Sequence, residues 1–154
     1  MQAPTFRHLT AGGYHTCGLR GDGSGYCWGI DAIGAGPTQL EANQPVPVTG
    51  GIRFRSIRAG RNSTCGLDTD DAAYCWGPNP NGEIGTEPVG TLQRFDQPMA
   101  VSGGLRFQTL EPGYATYCGS TREEAVYCWG RGEDGELGAG HGNSSAPVAV
   151  TIPS

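Results

Sequence analysis

The stretch CGLRGDGSGYCWG at 17–29 returns as CGLDTDDAAYCWG at 65–77 and as CGSTREEAVYCWG at 118–130. A chain that repeats itself at this length builds one supersecondary unit several times and stacks the copies. Trp28, Trp76 and Trp129 lie 48 and 53 residues apart, and the same offsets relate Phe6, Phe54 and Phe107. They also relate Cys17, Cys65 and Cys118, and Cys27, Cys75 and Cys128. Val48, Val101 and Val150 close the copies, and the linkers GGIRF and GGLRF match. The copies divide as 5–50, 51–103 and 104–151. The five extra residues of the second fall in TEPVGTLQRF, which reads as a loop insertion.

Each copy holds four short strand candidates. In the second they are RFRSIRAG (53–60), STCGL (63–67), AAYCWG (72–77) and QPMAV (97–101), with Gly, Pro, Asp and Asn between them. The 27 glycines among 154 residues, against a usual share of about 7%, favour tight turns and short strands over long helices. Four antiparallel strands in about 50 residues is the pattern of a β-propeller blade. The expected fold is all-β: three four-stranded antiparallel blades.

The cysteines of each copy are ten apart. In a hairpin centred near residue 22, Cys17 and Cys27 face each other across neighbouring strands, close enough for a disulfide. Their even residue sum requires a loop of odd length, which Asp22-Gly23 with a bulge satisfies. The turns near Asp70 and Glu123 lack glycine. Three intra-hairpin bridges lead the alternatives of free buried thiols and bound metal; zinc favours C-x₂₋₄-C pairs, and this chain has none. Bridges point to an oxidising compartment: secreted, periplasmic or cell-surface. MQAPTFRHLT has neither the charged start nor the apolar core of a signal peptide.

The net charge is −5, every basic residue is Arg, and there is no basic run. That argues against a nucleic-acid partner. No stretch of eighteen apolar residues predicts a membrane span.

AGGYHTCGLRGDGSGYCWG, PVPV, GGIRF, WGPNPNGEIGT at 76–86 and WGRGEDGELGAG at 129–140 together resemble the regulator-of-chromosome-condensation repeat. Glu83 and Glu136 stand where that family often has Gln. The resemblance spans about residues 5–151. It implies a propeller, usually of seven blades, in one of two branches: a chromatin-associated guanine-nucleotide exchange factor, or bacterial secreted propellers such as a β-lactamase inhibitor that binds through one face. The acidic charge and paired cysteines favour the secreted branch. Three blades leave two faces open, so closure is expected through a homo-oligomer, with two chains forming a six-bladed ring. A fragment, natural or engineered, of a longer propeller is the alternative.

No enzyme, cofactor or metal is expected. His8 falls on an innermost strand and His141 in a glycine loop. The acids Asp134 and Glu136 lack the spacing of a calcium loop. Trp28, Trp76 and Trp129 recur in every copy, as residues packed between blades do. Binding is expected where copies differ, at Gly13-Tyr14-His15, Arg61-Asn62-Ser63 and Tyr114-Ala115-Thr116. In the resembled family this turn lies near the central opening. Tyr14, His15, Arg61, Asn62 and Tyr114 are therefore the candidate contacts for a protein partner, or for a glycan, with the tyrosines stacking on sugar rings.

Overall fold

The computed structural model describes residues 5–86 and 93–154. Twelve strands form three separate four-stranded antiparallel sheets, and no helix is present among the described residues. The first sheet runs β1 (His8–Ala11), β2 (His15–Leu19), β3 (Gly25–Ile30), β4 (Glu41–Pro47) in spatial order. The second runs β5 (Phe54–Ala59), β6 (Thr64–Asp68), β7 (Ala73–Pro78), β8 (Arg94–Ala100). The third runs β9 (Thr109–Pro112), β10 (Thr116–Ser120), β11 (Val126–Gly130), β12 (Ser144–Ala149). Each sheet is a meander, so each is one blade. The first strands β1, β5 and β9 meet from blade to blade, which places them innermost. Strand β8 begins at Arg94, earlier than the pattern QPMAV implies. Phe95 extends it by pairing with Gly77 across a bulge and burying its ring. Part of the inserted loop, 87–92, lies outside the described residues.

The middle hairpins explain the repeated sequence. Arg20 N–H donates to the Ser24 carbonyl, Asp68 to Ala72 and Thr121 to Ala125, leaving a three-residue loop each time. Counting inward from that hydrogen-bonded pair puts Cys17 opposite Cys27 at a non-hydrogen-bonded position, where strands approach closest. The Cα atoms there are 4.1 Å apart, as they are for Cys65–Cys75 and Cys118–Cys128, and all three pairs are bonded. The third loop residue is left-handed in every copy: Gly23 at φ 86°, Asp71 at 68° and Glu124 at 66°. The turn geometry is thus kept even where the glycine is not.

The glycine after each bridge cysteine carries a phenyl ring. A Cβ on Gly18, Gly66 or Gly119 would strike the ring of Phe6, Phe54 or Phe107 of its own blade. The glycine of Trp-Gly sits at a bulge with positive φ, 109°, 117° and 103° at Gly29, Gly77 and Gly130.

The core lies between blades. One cluster joins Cys17, Leu19, Cys27 and Ile33 of the first blade to Phe54, Ile57 and Trp76 of the second. Another joins Cys65, Leu67, Cys75 and Ile84 to Phe107, Leu110 and Trp129. Trp76 donates its indole N–H to the Ala32 carbonyl, and Trp129 donates to that of Glu83, both at 3.0 Å. Each indole also lies against a glycine of the preceding blade, Gly34 or Gly85. Trp28 is only half-buried.

Candidate functional site

Each blade turns from its first strand to its second with the same hydrogen bond. Gly12 N–H donates to the His15 carbonyl, Gly60 to Ser63 and Gly113 to Thr116, at 2.7–2.8 Å. The turns are tied to the rest of their blades and to each other. Ile30 N–H donates to the Tyr14 carbonyl and Arg131 N–H to that of Ala115. Pro78 occupies the equivalent place in the second blade and has no N–H to give. Gly13 N–H reaches the Gly60 carbonyl at 3.2 Å, and a side chain on Gly13 would collide with Arg61. The glycine therefore lets the first two turns touch.

This arrangement brings two of the candidate residues, Arg61 and Tyr114, into contact and leaves Tyr14 on the turn that adjoins Arg61. Arg61 crosses from Gly13 to Tyr114 and holds its guanidinium 4.2 Å from the Tyr114 ring centroid. That distance is a cation–π contact. Tyr114 is 69% exposed and Tyr14 58% exposed, and Asn62 is also exposed beside them. Neighbouring turns thus offer flat aromatic surface, a fixed positive charge and an amide.

His15 is placed differently from its neighbours. Its ring is buried, and Nε2 lies 2.7 Å from Thr64 Oγ1 of the next blade. The Thr64 hydroxyl gives its proton to the Ala32 carbonyl, so Nε2–H is the donor to Thr64. Burial lowers the imidazole pKa to about 4, against the opposing pull of the Asp31 charge. His15 thus joins blades and does not reach the surface. Its sequence alignment with Ser63 and Thr116 carries the signal for this. Ser63 Oγ meets Tyr117 Oη of the third blade at 3.2 Å, the same inter-blade position.

Among the described residues, no group of three or more His, Cys, Asp or Glu side chains is arranged to hold a metal. The loop acids Asp134 and Glu136 both grip Arg131 at 2.8 Å. His8 bonds the Ile57 carbonyl on the inner strands, and His141 lies by the Glu133 carbonyl.

Comparison with known proteins agrees with the architecture. The family model "Regulator of chromosome condensation (RCC1) repeat" matches residues 54–83. Yeast RCC1 (Prp20), in its crystal structure bound to Kap60, superposes with a TM-score of 0.84 and 19% identity, covering 96% of this chain and 37% of that one. A structure of Prp20p from Saccharomyces cerevisiae, described with its binding to Gsp1p and histones, gives 0.78 and 20% over 96% and 38%. Human WBSCR16 gives 0.81 and 18% over 96% and 40%. This chain therefore spans less than half the length of each. Residues 54–83 are similar to the regulator of chromosome condensation repeat, and the three blades have the fold of RCC1-like propellers.

Proposed function

We propose that this chain is a non-enzymatic binding module that recognises a protein through the face bearing Tyr14, Arg61, Asn62 and Tyr114. The observation carrying this reading is the Arg61–Tyr114 contact, with Tyr14 exposed on the turn whose Gly13 lies against Arg61. Tyr and Arg supply binding energy at interfaces more often than other residues, and here the arginine is already held in place before a partner arrives. The yeast relative's recorded binding to Kap60, Gsp1p and histones supports protein as the ligand class. A glycan is the second reading, but Arg61 covers one face of Tyr114 and so takes up surface on which a sugar ring would stack.

In the same reading, two chains associate through the open sides of their first and third blades to form six blades. The three cysteine bridges support an oxidising setting: secretion, periplasm or cell surface, as for propellers that inhibit other proteins.

The test uses peptides selected from a displayed library for binding to the immobilised chain. Their affinity is then measured for Tyr14→Ala/Tyr114→Ala. Both rings are mostly exposed, so the variant folds, and the dominant binders should weaken at least tenfold. Unchanged affinity would place binding elsewhere. Specific hits on a glycan array, competed by free sugar and lost in the double variant, would favour the carbohydrate reading.

A further inference from the structure

Arg61 differs from the other arginines in what its guanidinium holds. Of the ten arginines, eight pair with a carboxylate or bond a carbonyl of the chain. Arg20 is exposed and has the Asp22 charge nearby. Arg61 is half-buried, yet among the described residues its guanidinium bonds no carboxylate and no carbonyl. Its partner is the Tyr114 ring alone, 4.2 Å from ring centroid to guanidinium carbon. Acids close to that ring are already engaged. Glu111, Asp134 and Glu136 line one hollow with Tyr114, and they pair with Arg58 and Arg131.

The side chain is held along its length. A Cβ on Gly13 would lie 3.0 Å from Arg61 Cγ, so the stem runs against the turn of the first blade while the head rests on a ring of the third. Arg61 belongs to the middle blade, and the seams on both of its sides lie within the chain. Stacking on a ring uses the flat face of a guanidinium. It leaves the in-plane N–H groups, which form a fork that matches a carboxylate. An arginine positioned in this way has already given up much of its rotamer freedom, so an anion that binds it gains affinity.

We infer that the protein partner presents an aspartate or glutamate side chain to Arg61. The inference rests on the protein-binding reading given above and names the chemistry that the partner brings. One positive charge, in a chain of net charge −5, suits one negative charge better than the dianion of a phosphate group. A chain-terminal carboxylate is captured by converging backbone N–H groups. Here the first N–H of each turn, from Gly12, Gly60 and Gly113, is given back to its own blade. An acidic side chain within the partner's sequence is therefore the source of the carboxylate.

The selected peptides serve as probes, synthesised with amidated C-termini. In each, Asp or Glu is replaced by Asn or Gln, and affinity is measured by titration calorimetry for the unaltered chain and for Arg61→Gln. The Arg61 side chain bonds no polar group of the chain, so the variant folds, which near-ultraviolet circular dichroism checks. The dominant binders should contain an acid whose amide counterpart binds the unaltered chain at least tenfold more weakly. On Arg61→Gln, acid and amide peptides should bind alike. If the binders depend on Tyr14 and Tyr114 but carry no such acid, or lose as much on Arg61→Gln as on the unaltered chain, the carboxylate is overturned and the protein-binding reading stands. Binders that are lost on amidation, and so need a free chain end, overturn the side-chain source. Binders indifferent to Tyr14→Ala/Tyr114→Ala, or a library that gives none, remove both readings.

Discussion

At the level of single residues, the molecule uses buried polar groups to set how one blade meets the next. His15 and Thr64 come from strands 49 residues apart and meet where Ser63 and Tyr117 meet one blade later. Burial raises the Tyr117 phenol and lowers the His15 imidazole, so both stay neutral. For His15 this has a consequence for stability. Its folded pKa, about 4, is below its ordinary value of 6.5, so its contribution is complete above 6.5 and is lost as pH falls toward 4. The loss amounts to about 3 kcal/mol. The stability difference between the unaltered chain and His15→Asn, measured by urea denaturation, should shrink by about that amount between pH 7 and pH 4. A difference that stays constant over this range would mean the ring is not buried in neutral form. Carboxylates add their own loss at lower pH. Desolvation raises the Asp71 carboxyl, but its hydrogen bonds and charge contacts with Arg55 and Arg122 outweigh this and hold it below its usual range.

At the level of elements, the hairpin with its staple is the unit that the sequence repeats, and most of it was legible. The ten-residue cysteine spacing and the even sum gave opposed positions and an odd loop, and the bridges and three-residue loops have that geometry. The glycine after Trp was recognisable as a repeat, although its reason is a bulge and a crowded approach that no sequence pattern displays. The second and third turns were less legible because Asp71 and Glu124 occupy a left-handed position where glycine is the usual signal. Their conformation is imposed by the staple and ladder on either side. The site was legible in part for a similar reason. Tyr14, Arg61 and Tyr114 stood out as the positions where copies differ, whereas the inward turn of His15 depends on Thr64, a residue distant in sequence. The left-handed glutamate gives a prediction. The side chain of Glu124 is exposed and the backbone strain there costs about 1 kcal/mol. Glu124→Gly should therefore stabilise the protein by about 0.5 kcal/mol after the entropy of glycine is subtracted, raising Tm by about 1–2 °C. Thermal unfolding checks this, and a lower Tm would show that the turn is not strained.

At the level of the whole molecule, three blades share two seams and leave half a seam at each side. Leu9 is 59% exposed where the equivalent Ile57 is 0% exposed. Apolar faces of this kind mark interaction sites more often than chance exposure does. The molar mass of the oxidised chain in solution, by light scattering at micromolar concentration, tests self-association most directly. Self-association of two chains gives a mass near twice 16.1 kDa. A mass of 16.1 kDa that persists as concentration rises would contradict it.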